Sequence, residues 1–261
     1  MRQKNRRRLA AVVLVAIASF LPVIVAAPAN AIVGGTQSSL EDHPYTVYLT
    51  NANGYQFCGG TLIAERAVLT AAHCALAVAK DQLRVVVGRE DETTNDGVVT
   101  KVAKVWTPSQ FKSAQEGYDF AVLTLSLLPP LILKPTATLP TAADAALYNE
   151  GYQATVLGWG RTSDGGARSN ILRSAQVPII GNSSCKASYS EYNAASMLCA
   201  GYSEGGVDAC QGDAGGPLVE GDVLVGIVSF GEGCAVAGKP GVYTRVLPFV
   251  QEIKDHLPLI E

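Results

Sequence analysis

The sequence predicts an all-β protein that ends in one helix, and three features carry that expectation. Short runs rich in Val, Ile, Leu, Thr and Tyr recur with turn residues between them. Glycine is abundant, at 26 residues, and strong helical periodicity is scarce, which suits many tight turns and barrel corners. Only the C-terminal stretch repeats apolar residues at helical steps.

Taken in order, the chain opens on Arg2, Lys4, Arg6, Arg7 and Arg8 ahead of the apolar run Leu9 to Leu21. This is the pattern of a secretory signal peptide over 1–31. A membrane anchor is the rival, but the run is short for a span and Pro22 interrupts it. Ala27-Pro28-Ala29 and Ala29-Asn30-Ala31 both fit the small-x-small cleavage rule, and the second would leave Ile32 as the new amino terminus. The pair Arg6-Arg7 leaves twin-arginine export open beside the ordinary route. A secreted, extracellular protein is expected.

Strands are expected at Thr46 to Thr50, Val68 to Thr70, Leu83 to Val87, Val98 to Val105, Phe120 to Leu125, Ala154 to Leu157, Val223 to Phe230 and Gly241 to Val246. Pro129, Pro130, Pro135 and Pro140 cluster in a connector from Leu128 to Pro140. From Pro248, apolar Phe249, Val250, Ile253 and Leu257 alternate with polar residues at three- and four-residue steps, which predicts an amphipathic helix over about 248–258. The acidic run Glu90, Asp91, Glu92 and Asp96 lacks the spaced ligands of a calcium loop and reads as a solvated turn.

All six cysteines, Cys58, Cys74, Cys185, Cys199, Cys210 and Cys234, follow the export signal, so disulfides are expected. Six cysteines allow fifteen pairings, and spacing does not choose among them. Removing the five basic signal residues leaves 15 basic against 23 acidic side chains, which moves the formal charge from −3 to −8. That balance disfavours nucleic acid as a partner. The remaining length of about 230 residues suits two small domains or one all-β body with two barrels.

Three histidines are present. His43 lies between Asp42 and Pro44, and His256 lies near the end of the expected helix. His73 closes the small-residue turn Leu69-Thr70-Ala71-Ala72-His73-Cys74 after an apolar strand. Asp119 leads directly into Phe120-Ala121-Val122-Leu123, a segment that belongs inside a sheet, and a buried carboxylate needs a partner. Alone, each residue is as readily structural as functional.

Their surroundings decide the matter. Asp208-Ala209-Cys210-Gln211-Gly212-Asp213-Ala214-Gly215-Gly216-Pro217 resembles the nucleophile loop of trypsin-like serine proteases. The His73 turn, Ile32-Val33-Gly34-Gly35, Cys58-Gly59-Gly60, Gly158-Trp159-Gly160 and most of Asn182 to Val246 extend the similarity. The order His73, Asp119, position 214 is that of chymotrypsin-like enzymes. The resemblance implies two six-stranded antiparallel β-barrels, about 32–135 and 136–247, with the site between them. It also implies disulfides Cys58 with Cys74, Cys185 with Cys199, and Cys210 with Cys234.

By the same resemblance His73 is the general base and acid, and Asp119 orients it. The backbone amides of Gly212 and Ala214 form the oxyanion hole. A freed Ile32 amino group pairs with Asp213. Asp208 sits at the base of a pocket for Arg or Lys, with Gly231 and Gly241 keeping it open and Ser229-Phe230-Gly231 pairing with substrate backbone. Ala209 and Phe230 depart from commoner family residues, and Ala209 tilts the preference toward Arg. No cofactor and no metal are implied. The expected partners are Arg/Lys peptides or proteins, protein protease inhibitors and benzamidine-like ligands, bound by a monomer.

The centre of the motif departs from the family. Position 214 carries the attacking serine in active members, and here it is Ala214. The chain is therefore expected to bind such peptides without turning them over appreciably. Two origins fit: an active protease changed at its nucleophile, or a secreted pseudoprotease that acts as a binding module. A purely structural domain would not need the pocket residues.

Overall fold

The structure, a computed structural model, describes residues 32–126 and 136–258. The signal segment and most of the proline connector, including Pro129, Pro130 and Pro135, lie outside the described residues.

Six strands close the first barrel: β2 (Thr46–Thr50), β3 (Gln56–Ala64), β4 (Ala67–Thr70), β5 (Arg84–Val87), β6 (Val98–Trp106) and β7 (Ala121–Leu125), in the order β2-β3-β4-β7-β6-β5. The second uses β8 (Gln153–Gly158), β9 (Arg173–Ile180), β10 (Met197–Ala200), β11 (Pro217–Glu220), β12 (Val223–Phe230) and β13 (Gly241–Arg245). Their order is β9-β10-β13-β12-β11-β8, and pairing of β8 with β9 closes it. All these pairings are antiparallel, so closure removes the sheet edges.

The valines of β5 and every residue of β2 are buried, because side chains alternate between the barrel interior and the layers packed outside it. The larger apolar cluster runs from Tyr45, Leu62 and Leu123 in the first barrel to Leu157, Trp159 and Val219 in the second. A smaller one, with Val156, Val177, Val225 and Tyr243, fills the second barrel.

Each end of the described chain crosses to the opposite barrel. The two-residue strand β1 (Thr36–Gln37) pairs with β9, Thr36 facing Ser174. At the other end a 3-10 turn, Leu247–Phe249, leads into helix α3 (Val250–Lys254). Phe249 stacks on Phe120 with ring centroids 4.7 Å apart, and His256 stacks on Trp106 at 3.7 Å. The regular helix is thus shorter than the apolar period suggests, since Leu247–Phe249 winds as 3-10 and the chain leaves helix after Lys254. Among the described residues two other short α-helices occur, α1 (Ala72–Ala75) and α2 (Asn182–Ser188).

The acidic run is the expected solvated turn only in part: Asp96 is exposed and Asp91 accepts the Thr93 amide in an exposed turn. Glu90 and Glu92 are partly buried at the seam between barrels. The Glu90 carboxylate accepts the Leu40 amide at 2.9 Å, its carbonyl accepts Trp159 Nε1–H at 2.8 Å, and Glu92 pairs with Arg168 at 3.0 Å. The run therefore ties the two halves together.

Candidate active site

The cleft is assembled from turns that leave barrel strands. β4 ends at Thr70, and α1 then lifts the half-buried His73 out of the wall while Ala72 and Cys74 stay buried. Asp119 sits just before β7 with no exposed surface. Its carboxylate accepts the His73 backbone amide at 3.0 Å and faces His73 Nδ1 at 2.8 Å. Ser229 Oγ donates to the same carboxylate at 2.6 Å, and Thr244 Oγ1 donates to the Asp119 carbonyl at 2.7 Å. The second barrel thus supplies two hydroxyls that hold the acid facing the imidazole, the arrangement a buried carboxylate requires.

Disulfides Cys58–Cys74, Cys185–Cys199 and Cys210–Cys234 are formed. The Cys58, His73 and Cys74 side chains lie close together, but both sulfurs belong to one disulfide, which leaves no thiolate to bind a metal.

The loop at Gly212 to Gly216 lies across the start of this wall. Gly59 donates to the Ala214 carbonyl at 2.8 Å, and a Cβ at Gly59 would fall 2.8 Å from Gly216 Cα. Backbone-to-backbone approach therefore explains a glycine inside β3. Among the described residues no hydrogen bond takes the amide of Gly212 or of Ala214. Asp213 is wholly buried, and its carboxylate accepts the Gly160 amide at 2.7 Å and the Cys210 amide at 2.9 Å. Burial pushes this acid up to about 7, against those two bonds and the charge of Arg168. Ile32 is also fully buried, and its neighbour Val33 exchanges backbone hydrogen bonds with Asp208 at 2.9 and 3.1 Å.

A pocket of about 220 Å³ opens beside Ala214, and Asp208, Ala209, Ser229, Phe230, Gly231 and Gly241 all line it. Asp208 is 3% exposed and accepts the Ala209 and Ala235 amides at 2.8 and 3.3 Å. Burial, with the charge of Asp213 beside it, pushes its carboxyl up to about 7 against those two bonds. A methyl on Gly241 would lie 2.5 Å from Asp208 Oδ1, so the acid is reachable only past a glycine.

Three groups at this site escaped the reading of the sequence. Tyr243 Oη is buried in the pocket wall with no partner among the described residues. Thr244 steadies Asp119, and Gln56 donates to the Gly212 carbonyl at 2.9 Å. Tyr243 and Thr244 sit in an apolar strand and Gln56 begins another, so periodicity reads them as wall residues.

Comparison with known proteins agrees with the geometry. The family model described as Trypsin matches residues 32–253. A protein named Trypsin from Saccharopolyspora erythraea is 47% identical over 226 residues, covering 87% of this chain and 98% of the relative. Trypsin 5G1 from Aedes aegypti is 39% identical, with 86% and 84% covered, and trypsin zeta from Drosophila melanogaster is 36% identical, with 89% and 90% covered. Among the described residues no helix is long and apolar enough to cross a membrane.

Proposed function

The chain belongs to the trypsin family of serine proteases, and from that premise we propose that its cleft binds peptides and proteins at Arg or Lys while Ala214 keeps it from cleaving them at a useful rate. The observation that carries this reading is Asp208, a buried acid in a pocket with two amide donors and, among the described residues, no salt-bridged cation. A guanidinium or ammonium entering the pocket would supply the missing charge.

In this reading His73, oriented by Asp119, is the base that would take a proton from a nucleophile at position 214. Ala214 offers a methyl instead of an oxygen, so no acyl-enzyme forms. The oxyanion site survives, since it consists of the Gly212 and Ala214 amides. Cleavage after Ala31 would free the Ile32 amino group to pair with Asp213, whose buried carboxylate is bonded by two amides and, among the described residues, forms no salt bridge. Amino-terminal sequencing of secreted protein that begins elsewhere would reject this last step. Ser229, Phe230 and Gly231 would pair with the substrate backbone along β12. The protein would act outside the cell as a monomer.

The test is direct. Benzamidine should bind the chain as it stands, and Ala214→Ser should restore cleavage of Arg and Lys peptides by about 10⁶ in kcat. No benzamidine binding would refute the role of Asp208, whereas binding without rescue would reveal a second defect in the catalytic groups. A secreted pseudoprotease would keep the same binding. The codon at position 214 in the source gene separates it from an inactivated enzyme.

A further inference from the structure

We infer that Gln56, clamped by Arg168 and Glu92, is a positioning residue that aims the Gly212 amide into the cleft. The inference rests on reading the cleft as a protease site, but the groups it names lie outside the Asp208 pocket.

Gly212 has φ +102°, a conformation that glycine alone adopts without strain. Such a residue turns readily unless both flanking peptides are held. Gln211 O on one side accepts the Arg161 amide at 2.9 Å. In a trans peptide the N–H points opposite to the carbonyl, so this bond directs the Gly212 N–H away from Arg161. Gly212 O on the other side accepts Gln56 Nε2 at 2.9 Å, the only side-chain donor to this loop's carbonyls among the described residues.

Gln56 is 2% exposed, and Arg168 decides which end of its amide meets the loop. Arg168 Nη1 donates to the Gln56 carbonyl at 2.9 Å, and Nη2 donates to Gln56 Oε1. With the amide oxygen held by a cation, the amide nitrogen must face Gly212 O. Glu92 Oε1, 3.0 Å from Arg168 Nη2, fixes the guanidinium in turn. The chain of contacts joins β3, the acidic turn and the loop between β8 and β9 to one peptide of the nucleophile loop. It also touches the proposed chemistry through the charge of Arg168, which acts on Asp213, and Gln56→Glu leaves that charge in place.

Gln56→Glu tests this with little change of shape: it keeps an oxygen for Arg168 and removes the donor to Gly212. In the chain as it stands, benzamidine affinity should stay within about twofold. Affinity for a substrate-like protein inhibitor with Arg at its reactive bond, whose carbonyl needs the Gly212 amide, should fall about tenfold or more. In the Ala214→Ser chain kcat should fall by a similar factor with KM little changed, part of the roughly 10²–10³ that complete loss of one oxyanion donor costs. Arg168→Met should show the same pattern more weakly. Equal losses for both ligands, or no loss for either, would overturn the inference. Should the parent chain bind neither ligand, the pocket reading falls instead. A crystal structure of Gln56→Glu then decides: a turned Gln211–Gly212 peptide upholds the positioning role and an unmoved one ends it.

Discussion

At the scale of single residues, the two buried acids of the nucleophile loop set the pH behaviour. Burial pushes Asp208 up to about 7, and an amidinium binds its ionised form. Benzamidine affinity by calorimetry should weaken about tenfold per pH unit below about 7, and a flat profile from pH 5 to 8 would reject the assignment. The same shift acts on stability with a definite sign. The folded value lies above the ordinary aspartate value of 3.8, so the contribution of Asp208 is present at low pH and is lost as pH rises from 3.8 to about 7. Gly241→Ala tests the pocket differently. Its methyl would press on Asp208 Oδ1 from 2.5 Å, so benzamidine binding should be lost while circular dichroism and melting stay near those of the parent. Asp208 and Ala209 were legible because they fall in one compact motif, and Ser229, Phe230, Gly231 and Gly241 because the resemblance continues through the strands that follow it. Gln56, Arg168, Tyr243 and Thr244 were not, since each gains its role from a partner 112 or more positions away in sequence or from a cavity that only the fold creates.

At the scale of elements, legibility follows side-chain pattern. Runs such as Thr46–Thr50 and Ala121–Leu125 carry unbroken apolar and β-branched residues and are strands. Other strands hide their pattern: β3 contains Gly59-Gly60, β9 contains Pro178, β11 begins at Pro217, and β10 spans four residues. Helix α2 shows no apolar period because Cys185 is its sole buried residue. Its attachment therefore depends on the disulfide to Cys199 in β10. Replacing both cysteines by alanine should cost about 2–4 kcal/mol, read as a lower denaturant midpoint, and should free α2 before the barrel that carries it.

At the scale of the whole molecule, the barrels meet through a mixed seam. Trp159 Nε1–H donates to Glu90 O at 2.8 Å, and its ring meets Tyr48 edge-on at 4.9 Å. Trp159→Phe keeps most of the ring contact and leaves a buried carbonyl without that donor. It should destabilise by about 1–3 kcal/mol in equilibrium unfolding, while preserving a single transition. A loss near zero would show that the seam does not rely on this bond.

The crossed ends described above set how this protein responds to being cut. All three disulfides close within one half, so severing the chain between Ser126 and Thr136 would leave no covalent link between the halves. Yet the leading piece would still contribute β1 to the trailing barrel, and the trailing piece would still lay Phe249 and His256 on the leading one. The two fragments are latched like clasped hands, each with a finger in the other's palm. A nicked molecule would travel as one particle on a native sizing column and fall into two pieces only when denatured.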